Sequence, residues 1–143
     1  MKKLLLAIIV ATLAIAQPAL GQSTVRNGTL FASAARSATV NGQDMSNDAY
    51  KCVVVVLDIT AVPGGDTVTL TVQGKDVLSG KYYTLLAGSA EASTATKTYQ
   101  VCPGITATAN VSASAILPQT WRVIVTHSAG TSFTYSVGYS IGF

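Results

Sequence analysis

The sequence has few of the residues from which catalytic sites are built. Charged residues make up 10% of the chain, and His127 is the only histidine. A hydrolytic triad needs a histidine base, oriented by a carboxylate, beside an activated nucleophile, whereas the single histidine here stands at the end of a predicted strand. No pair of acidic residues suggests glycoside hydrolysis. We therefore expect no catalytic residue and no enzymatic activity, and we interpret His127 as structural or surface-exposed.

Metal ligands and phosphate-binding motifs are equally scarce. Two cysteines and one histidine do not make a metal site, and no glycine-rich phosphate loop is present. Asp66 and Asp76 stand in glycine-bearing turns, where an aspartate side chain caps the turn backbone. Only three arginines follow residue 21, and they form no basic cluster. The sequence thus predicts no metal, no cofactor and no nucleic-acid partner.

The first 21 residues have the layout of a secretory signal peptide. Lys2 and Lys3 precede an apolar stretch of 13 residues at 4–16, and Ala19-Leu20-Gly21 places small residues before Gln22. The stretch is shorter than a membrane span, which needs about 20 apolar residues. We predict a helical signal segment at 1–21, cleavage before Gln22, and export to the periplasm or the extracellular space. An uncleaved N-terminal anchor is the alternative.

Residues 22–143 are rich in small β-forming residues and poor in helix formers. They contain 13 serines, 17 threonines and one glutamate, with seven basic against six acidic side chains. Threonine and valine fit a pleated sheet, whereas serine and glycine suit turns. This composition is typical of an all-β extracellular or virion-type domain, and we predict one such domain at 22–143.

The segment "YKCVVVVLDIT" at 50–60 predicts a strand without a polar face. A strand with one solvated face alternates apolar and polar residues, as 67–76 does. We expect the valine strand to lie centrally, with the opposite sheet on one face. Its other face is then covered by a loop, by tyrosine side chains or by a second protein chain.

Other segments complete a series of short strands separated by turns. Further strands are predicted at 81–88, 97–102, 121–127 and 132–143, with one or two more within 28–40. The longest irregular stretch, 103–120, is expected to hold a short helical turn near 111–116. Seven or eight antiparallel strands at this spacing indicate a single β-sandwich, jelly-roll or immunoglobulin-like, or a small barrel.

The two cysteines stand at strand boundaries. Cys52 opens the valine strand, and Cys102 ends the strand at 97–102. An even pair in an exported chain suggests a disulfide, and closing a loop of this length contributes about 4 kcal/mol in the chain-entropy model. The alternative is two buried free thiols.

The C-terminal segment alternates apolar and aromatic residues up to the last position. Tyr135, Val137, Tyr139 and Ile141 precede Phe143 at every second residue, which also resembles the closing strand of an outer-membrane barrel. The unbroken valine run and the chain length disfavour that alternative. We interpret this segment as the last strand of a sandwich, with its tyrosines in the core or at an interface.

Tyrosine is enriched at protein–protein interfaces. The sequence-based candidates for a contact surface are Tyr82, Tyr83, Tyr135 and Tyr139.

Four segments carry a resemblance to a known family. They are residues 30–47, 53–86, 99–127 and 133–138, with the most specific blocks "QGKD…SGKYYTLL" and "LPQTWRVIVTH". Together they resemble a largely uncharacterised family of small all-β structural proteins of tailed phages, such as capsid-decoration, head-fibre or tail-associated subunits. The resemblance implies a virion location and assembly into a homo-oligomer or onto a capsid or shell protein. It implies no catalytic residue.

Three functions follow as expectations. The first is a non-enzymatic structural protein that packs against copies of itself or a larger shell. The second is an exported surface or carbohydrate-binding module that uses loops 61–66, 88–96 and 103–120. The third is a small outer-membrane barrel. Only in this third case does the domain itself contact the membrane; in the other two only the signal segment does.

Overall fold

The computed structural model describes residues 25–142, so the predicted signal peptide at 1–21 and the terminal Phe143 lie outside the described residues. The described chain is all-β and contains no helix. Its strands are β1 (Arg26–Arg36), β2 (Val40–Asn41), β3 (Met45–Ser46), β4 (Cys52–Ala61), β5 (Val68–Lys75), β6 (Tyr82–Ala87), β7 (Ala95–Val101), β8 (Ser112–Ala113), β9 (Thr120–His127) and β10 (Phe133–Gly142).

The helical turn predicted near 111–116 is wrong. Ser112 and Ala113 instead form β8, which pairs in parallel with the end of β7. The Cys102 N–H donates to the Ala113 carbonyl at 3.1 Å, so the backbone of this stretch is satisfied by β7 rather than by helical hydrogen bonds.

The strands form two sheets that do not close into a barrel. The β4 sheet has the order β1-β10-β4-β7-β8, and the β5 sheet has the order β2-β9-β5-β6, with β3 beside β9. All pairings between the named strands are antiparallel except that of β7 with β8. The chain crosses repeatedly from one sheet to the other, so the core between the sheets is assembled from distant parts of the sequence.

The valine strand β4 lies in the middle of its sheet, between β10 and β7, as predicted. Val53 and Val55 face the core and have no accessible surface. Val54 and Val56 point to the outer face and remain partly accessible. The prediction that both faces are covered is therefore confirmed for the inner face. On the outer face the described chain covers Val54 and Val56 only in part, so a second protein chain as the remaining cover stays a prediction.

Large side chains from both sheets fill the core. The alternation predicted at 121–127 places Trp121, Val123 and Val125 against the opposite sheet, each at most 1% exposed. Tyr135 and Phe133 of β10 meet them from the β4 sheet and are fully buried. The apolar area removed from water by these residues is the main force that holds the two sheets together.

The predicted disulfide is present. It joins Cys52 at the start of β4 to Cys102 just beyond β7, with the Cα atoms 4.3 Å apart, and the described chain has no free cysteine. A small disulfide-bonded β protein is compatible with an oxidising, exported location.

The connections between strands gather at two ends of the molecule. Segments 42–51, 76–81 and 102–119 lie at the end that carries the disulfide, which we call the disulfide end. Loops 37–39, 62–67, 88–94 and 128–132 lie at the opposite end. Because β1 runs antiparallel to β10, the described chain also begins at the disulfide end.

Candidate functional site

The four candidate interface tyrosines do not form one surface. Tyr135 and Tyr139 lie in the core between the sheets, where they are 0% and 9% exposed. Tyr83 is 45% exposed at the edge of the β5 sheet, and Tyr82 is half-buried on the outer face of that sheet. Only Tyr82 and Tyr83 are placed where a partner can reach them.

Tyr83 covers a glycine on the neighbouring strand. It pairs with Gly74 across β5 and β6, and a Cβ at Gly74 would lie 2.6 Å from the Tyr83 ring and 2.8 Å from Pro118. Because Gly74 has no side chain, the Tyr83 ring packs directly over the backbone at position 74. One side of Tyr83 is fixed against the protein while the other faces solvent.

Tyr82 carries two cations on its ring. The Arg122 guanidinium carbon lies 3.3 Å from the ring centroid, and the Lys75 ammonium lies 5.2 Å from it. Arg122 Nε also donates to Gln73 Oε1 at 3.0 Å. These contacts attract the cations to the electron-rich ring face and connect side chains of β5, β6 and β9 on the outer side of the sheet.

Asp44 fastens the segment 42–51 to this cluster. The Tyr82 hydroxyl donates to Asp44 Oδ1 at 2.7 Å, and Lys75 Nζ donates to Asp44 Oδ2 at 2.6 Å. These two hydrogen bonds lower the pKa of Asp44, and the one from Lys75 has the larger effect. The hydrogen bond with Asp44 is in turn the main cause of the raised pKa of Lys75. We call Asp44, Lys75, Tyr82 and Arg122 the latch.

An open groove of about 400 Å³ lies beside the latch at the disulfide end. Its walls are Asp44, Met45, Ser46, Lys75, Val77 and Thr120. They offer a carboxylate, an ammonium and two hydroxyls as hydrogen-bonding groups, and two apolar side chains for van der Waals contact. This combination suits a small hydroxylated ligand with one apolar face.

The turn between β5 and β6 projects from the same end. Asp76 caps it, as predicted, by accepting hydrogen bonds from the backbone N–H groups of Leu78 and Ser79, each at 3.2 Å. The Ser79 hydroxyl and these N–H groups lower the pKa of Asp76. This hydrogen-bonded turn nevertheless carries apolar side chains at its tip, since Val77 is 72% and Leu78 is 97% exposed.

His127 is held in an aromatic environment at the opposite end. Its Nε2 lies 3.2 Å from the Tyr135 hydroxyl, and its ring meets Phe133 edge-on with centroids 5.6 Å apart. Burial lowers the pKa of His127, and the charge of Arg36 acts in the same direction. No carboxylate among the described residues is hydrogen-bonded to this ring. The arrangement supports the interpretation of His127 as structural.

Arg36 fills an irregularity in the edge strand β1. The register with β10 shifts between Phe31 and Ala34, and the Arg36 guanidinium donates to the carbonyls of Ala32, Ala34 and Tyr135 at 2.7–3.1 Å. It also lies over the Tyr135 ring, 4.7 Å from the centroid. Because these carbonyls are occupied, this half of β1 is a poor template for an added strand.

The outer face of the β4 sheet carries mostly small side chains. Val54 and Val56 lie in its middle, opposite Ser140 and Gly138 of β10. Thr96, Thr98 and Gln100 line the other side of β4. On this face of β10, β4 and β7 the one charged side chain is Asp58, whose Oδ1 accepts a hydrogen bond from the Thr96 hydroxyl at 2.7 Å. We call this surface the valine face.

The loops predicted for a binding module do not converge. Residues 61–66 and 88–96 lie at the opposite end, whereas 103–120 lies at the disulfide end.

The latch could not be predicted from the sequence, because Asp44 and Lys75 are 31 positions apart and give no local signal. The exposed tip had a visible signal, since Val77-Leu78 interrupts an otherwise polar turn.

Within residues 25–142, no group of three or more histidine, cysteine, aspartate or glutamate side chains is placed to hold a metal ion. The same residues include no helix with the length and apolarity needed to cross a bilayer.

Comparison of the chain with protein-family models and with curated protein sequences gives no match.

Proposed function

We propose that this protein is a non-enzymatic structural subunit of an exported or virion-associated assembly, and that it acts by self-association. The observation that carries the proposal is the valine face. Val54 and Val56 are apolar residues in the middle of this surface, and their cross-strand neighbours are Ser140, Gly138, Thr98 and Gln100, three of which are small. Small side chains lose little conformational entropy when a second surface covers them.

The strand order supports a jelly-roll fold. The four-stranded orders β1-β10-β4-β7 and β2-β9-β5-β6 are those of two interleaved Greek keys. Domains of this architecture serve as capsid and lectin domains, so the fold is consistent with both the structural and the binding function. The phage-family resemblance favours the structural one.

The valine face, taken together with the outer side of the neighbouring strand β1, reaches the lower bound in size for a specific contact. These four strands, about 4.8 Å apart and about eight residues long at about 3.3 Å per residue, make a surface of about 500 Å². Two copies placed face to face bury about 1,000 Å² in total, which is the lower bound for a specific interface. Arg36 occupies the carbonyls of Ala32 and Ala34 in β1, which disfavours edge-to-edge pairing along that half of the strand and leaves the face as the contact surface.

Light scattering coupled to size-exclusion chromatography tests the proposal. The chain from Gln22 to Phe143 contains every strand of both sheets, and we expect it to elute without detergent as an oligomer of defined mass. A monomer at every concentration would contradict self-association. A protein that is soluble only in detergent would contradict the proposal as well.

Export is part of the same proposal. The layout of residues 1–21 predicts a signal peptide, and the disulfide is compatible with an oxidising compartment. Mass spectrometry of the protein recovered from cells tests it, since a mature chain beginning at Gln22 is expected.

An exported carbohydrate-binding module is a second candidate, favoured by the groove beside the latch. Its hydroxyl, carboxylate and ammonium groups are those that bind sugar hydroxyls. Titration with a glycan panel tests it. Thr120→Ala removes a hydroxyl from the groove, and Thr126→Ala, on the same strand, is the matched control. Binding that Thr120→Ala weakens and Thr126→Ala leaves unchanged supports this function; the absence of any glycan binding contradicts it.

A further inference from the structure

We infer that the disulfide end is a docking surface for an anionic lipid bilayer, with the Val77–Leu78 tip as the inserting element. This function is separate from self-association through the valine face and uses a different part of the molecule.

Exposed apolar side chains are concentrated at this end. Among the described residues, every large apolar side chain with substantial exposure belongs to the disulfide end or to the strand residues next to it. They are Val25, Val77, Leu78, Tyr83, Val111 and Ile116. Such a one-sided distribution marks an interaction surface, because scattered exposed residues would occur at both ends.

The turn that carries the tip is stabilised by its backbone and by Asp76. Asp76 accepts hydrogen bonds from the N–H groups of Leu78 and Ser79, and Gly80 adopts a φ of 69° that closes the turn. The backbone is therefore satisfied without any contribution from the side chains of Val77 and Leu78. Their exposure, 72% and 97%, has no role in holding the turn.

The charge at this end matches an anionic surface. Among the described residues, five basic side chains lie at the disulfide end against three acidic ones, and two basic lie toward the opposite end against three acidic. Those at the disulfide end are Arg26, Lys51, Lys75, Lys81 and Arg122, against Asp44, Asp48 and Asp76. Lys75 and Lys81 flank the apolar tip, where an inserted loop meets lipid phosphates.

The position of the N-terminus points in the same direction. Nine residues, 17–25, separate the apolar stretch at 4–16 from β1, and β1 begins at the disulfide end. While that stretch is attached and engaged with a membrane, the disulfide end is the part of the domain that is joined to it. A tip of two side chains is also far smaller than the roughly 800 Å² per partner of a stable protein interface, whereas it suits shallow insertion among lipid headgroups.

Vesicle flotation tests the inference. The chain from Gln22 to Phe143 is used because it contains the whole described fold and lacks the apolar stretch. The vesicles consist of phosphatidylcholine alone, or of phosphatidylcholine and phosphatidylglycerol in equal parts. We expect binding to the second kind, weakened by high salt because salt screens the basic side chains. No binding to either kind overturns the inference.

Matched variants locate the contact. In Val77→Ser/Leu78→Ser, binding is expected to fall at least about tenfold, since each buried aliphatic side chain contributes at least that factor to partitioning. Ile124→Ser, on the outer face of the β5 sheet, removes an apolar side chain away from this end and is expected to bind as the wild type does. Equal binding by all three proteins overturns the inference.

A fluorescence measurement separates insertion from a protein contact. In Leu78→Trp, the new indole is expected to shift to shorter wavelength, and to be quenched by brominated lipids, when anionic vesicles are added. A shift that appears on raising the protein concentration without vesicles, together with a change of mass in light scattering, shows that the tip contacts protein and overturns the lipid assignment.

Discussion

The ring of Tyr139 lies over Gly28, its partner across the β1–β10 pair, and leaves no room for a side chain there. A Cβ at position 28 would lie 2.5 Å from the nearest ring carbon of Tyr139. The ring cannot simply move aside, because its other neighbour is Trp121, with centroids 5.7 Å apart. A glycine under an aromatic ring on the adjacent strand stabilises the sheet edge by letting the ring cover the backbone.

This pair predicts the cost of filling the space. Gly28→Ala is expected to lower the free energy of unfolding by about 1–3 kcal/mol, as overpacking in a core does. Gly138→Ala is the control, because a Cβ there would meet only the Gly28 carbonyl at 3.7 Å, an ordinary contact. Urea unfolding of the two variants measures the difference. Equal stability of both would contradict the assigned role of Tyr139.

The disulfide predicts a redox-dependent stability. Because it closes a separation of 50 residues, its reduction is expected to lower the free energy of unfolding by about 2–4 kcal/mol. Denaturation midpoints with and without a reductant measure this. The double variant Cys52→Ala/Cys102→Ala is the control and is expected to be insensitive to reductant. An identical midpoint for the wild type under both conditions contradicts the prediction.

The latch predicts a pH dependence at the acid side. The folded-state pKa of Asp44 is lowered below its ordinary value of 3.8, so its stabilising effect is complete above that pH and is lost as the pH falls through the folded-state value. Asp44→Asn is therefore expected to be less stable than the wild type at neutral pH, with a difference that shrinks in acid.

The partner Lys75 provides the control for the latch. In a Lys75→Met background, Asp44→Asn is expected to cost less, because the ion pair at 2.6 Å is already gone. Thermal unfolding of the four proteins at several pH values measures the coupling. Additive effects at neutral pH would show that the two side chains act independently.

Two buried tyrosines predict a loss of stability in alkali. Burial raises the pKa of Tyr99 and of Tyr135 to about 12 from the ordinary value of 10.0. Because the folded state resists ionisation, the stabilising effect is complete below pH 10 and declines as the pH rises toward 12. Ultraviolet titration is expected to show both groups ionising together with unfolding, and the corresponding phenylalanine variants should flatten the decline.

The same tyrosines predict opposite effects at neutral pH. The Tyr99 hydroxyl is buried without a hydrogen-bond partner among the described residues, whereas the Tyr135 hydroxyl lies 3.2 Å from His127 Nε2. Tyr99→Phe is therefore expected to stabilise the protein by about 1 kcal/mol, and Tyr135→Phe to destabilise it by a similar amount. Chemical unfolding of both variants measures the signs. The same sign for both would contradict the hydrogen-bond assignment.

Much of the fold was predictable because its signals are local. The valine run, the alternation at 67–76 and the cysteines at strand boundaries each record burial or pairing within a few residues. β8 was not predictable, because Ser112 and Ala113 become a strand only through their contact with β7. The latch was hidden for the same reason, since Asp44 and Lys75 meet only after the two sheets have formed.

The outer surface of β4 was the harder part of the prediction. The sequence shows that Val54 and Val56 are apolar, but what covers an outward-facing residue depends on chains other than its own. Tyr135 and Tyr139 were indistinguishable from Tyr83 by residue type, although β10 directs both of them into the core. Which face of a strand is buried follows from the register, and the register is set by the whole sheet.

The most direct test of self-association through the valine face compares three proteins by light scattering at equal concentration. They are the chain from Gln22 to Phe143, its variant Val54→Glu/Val56→Glu, and the control Ile124→Glu on the outer face of the other sheet. Circular dichroism verifies that all three are folded. We predict a defined oligomer for the first and the third and a monomer for the second, because two carboxylates at the centre of the contact would be buried without partners. A folded Val54→Glu/Val56→Glu variant with the mass of the wild type would contradict the account.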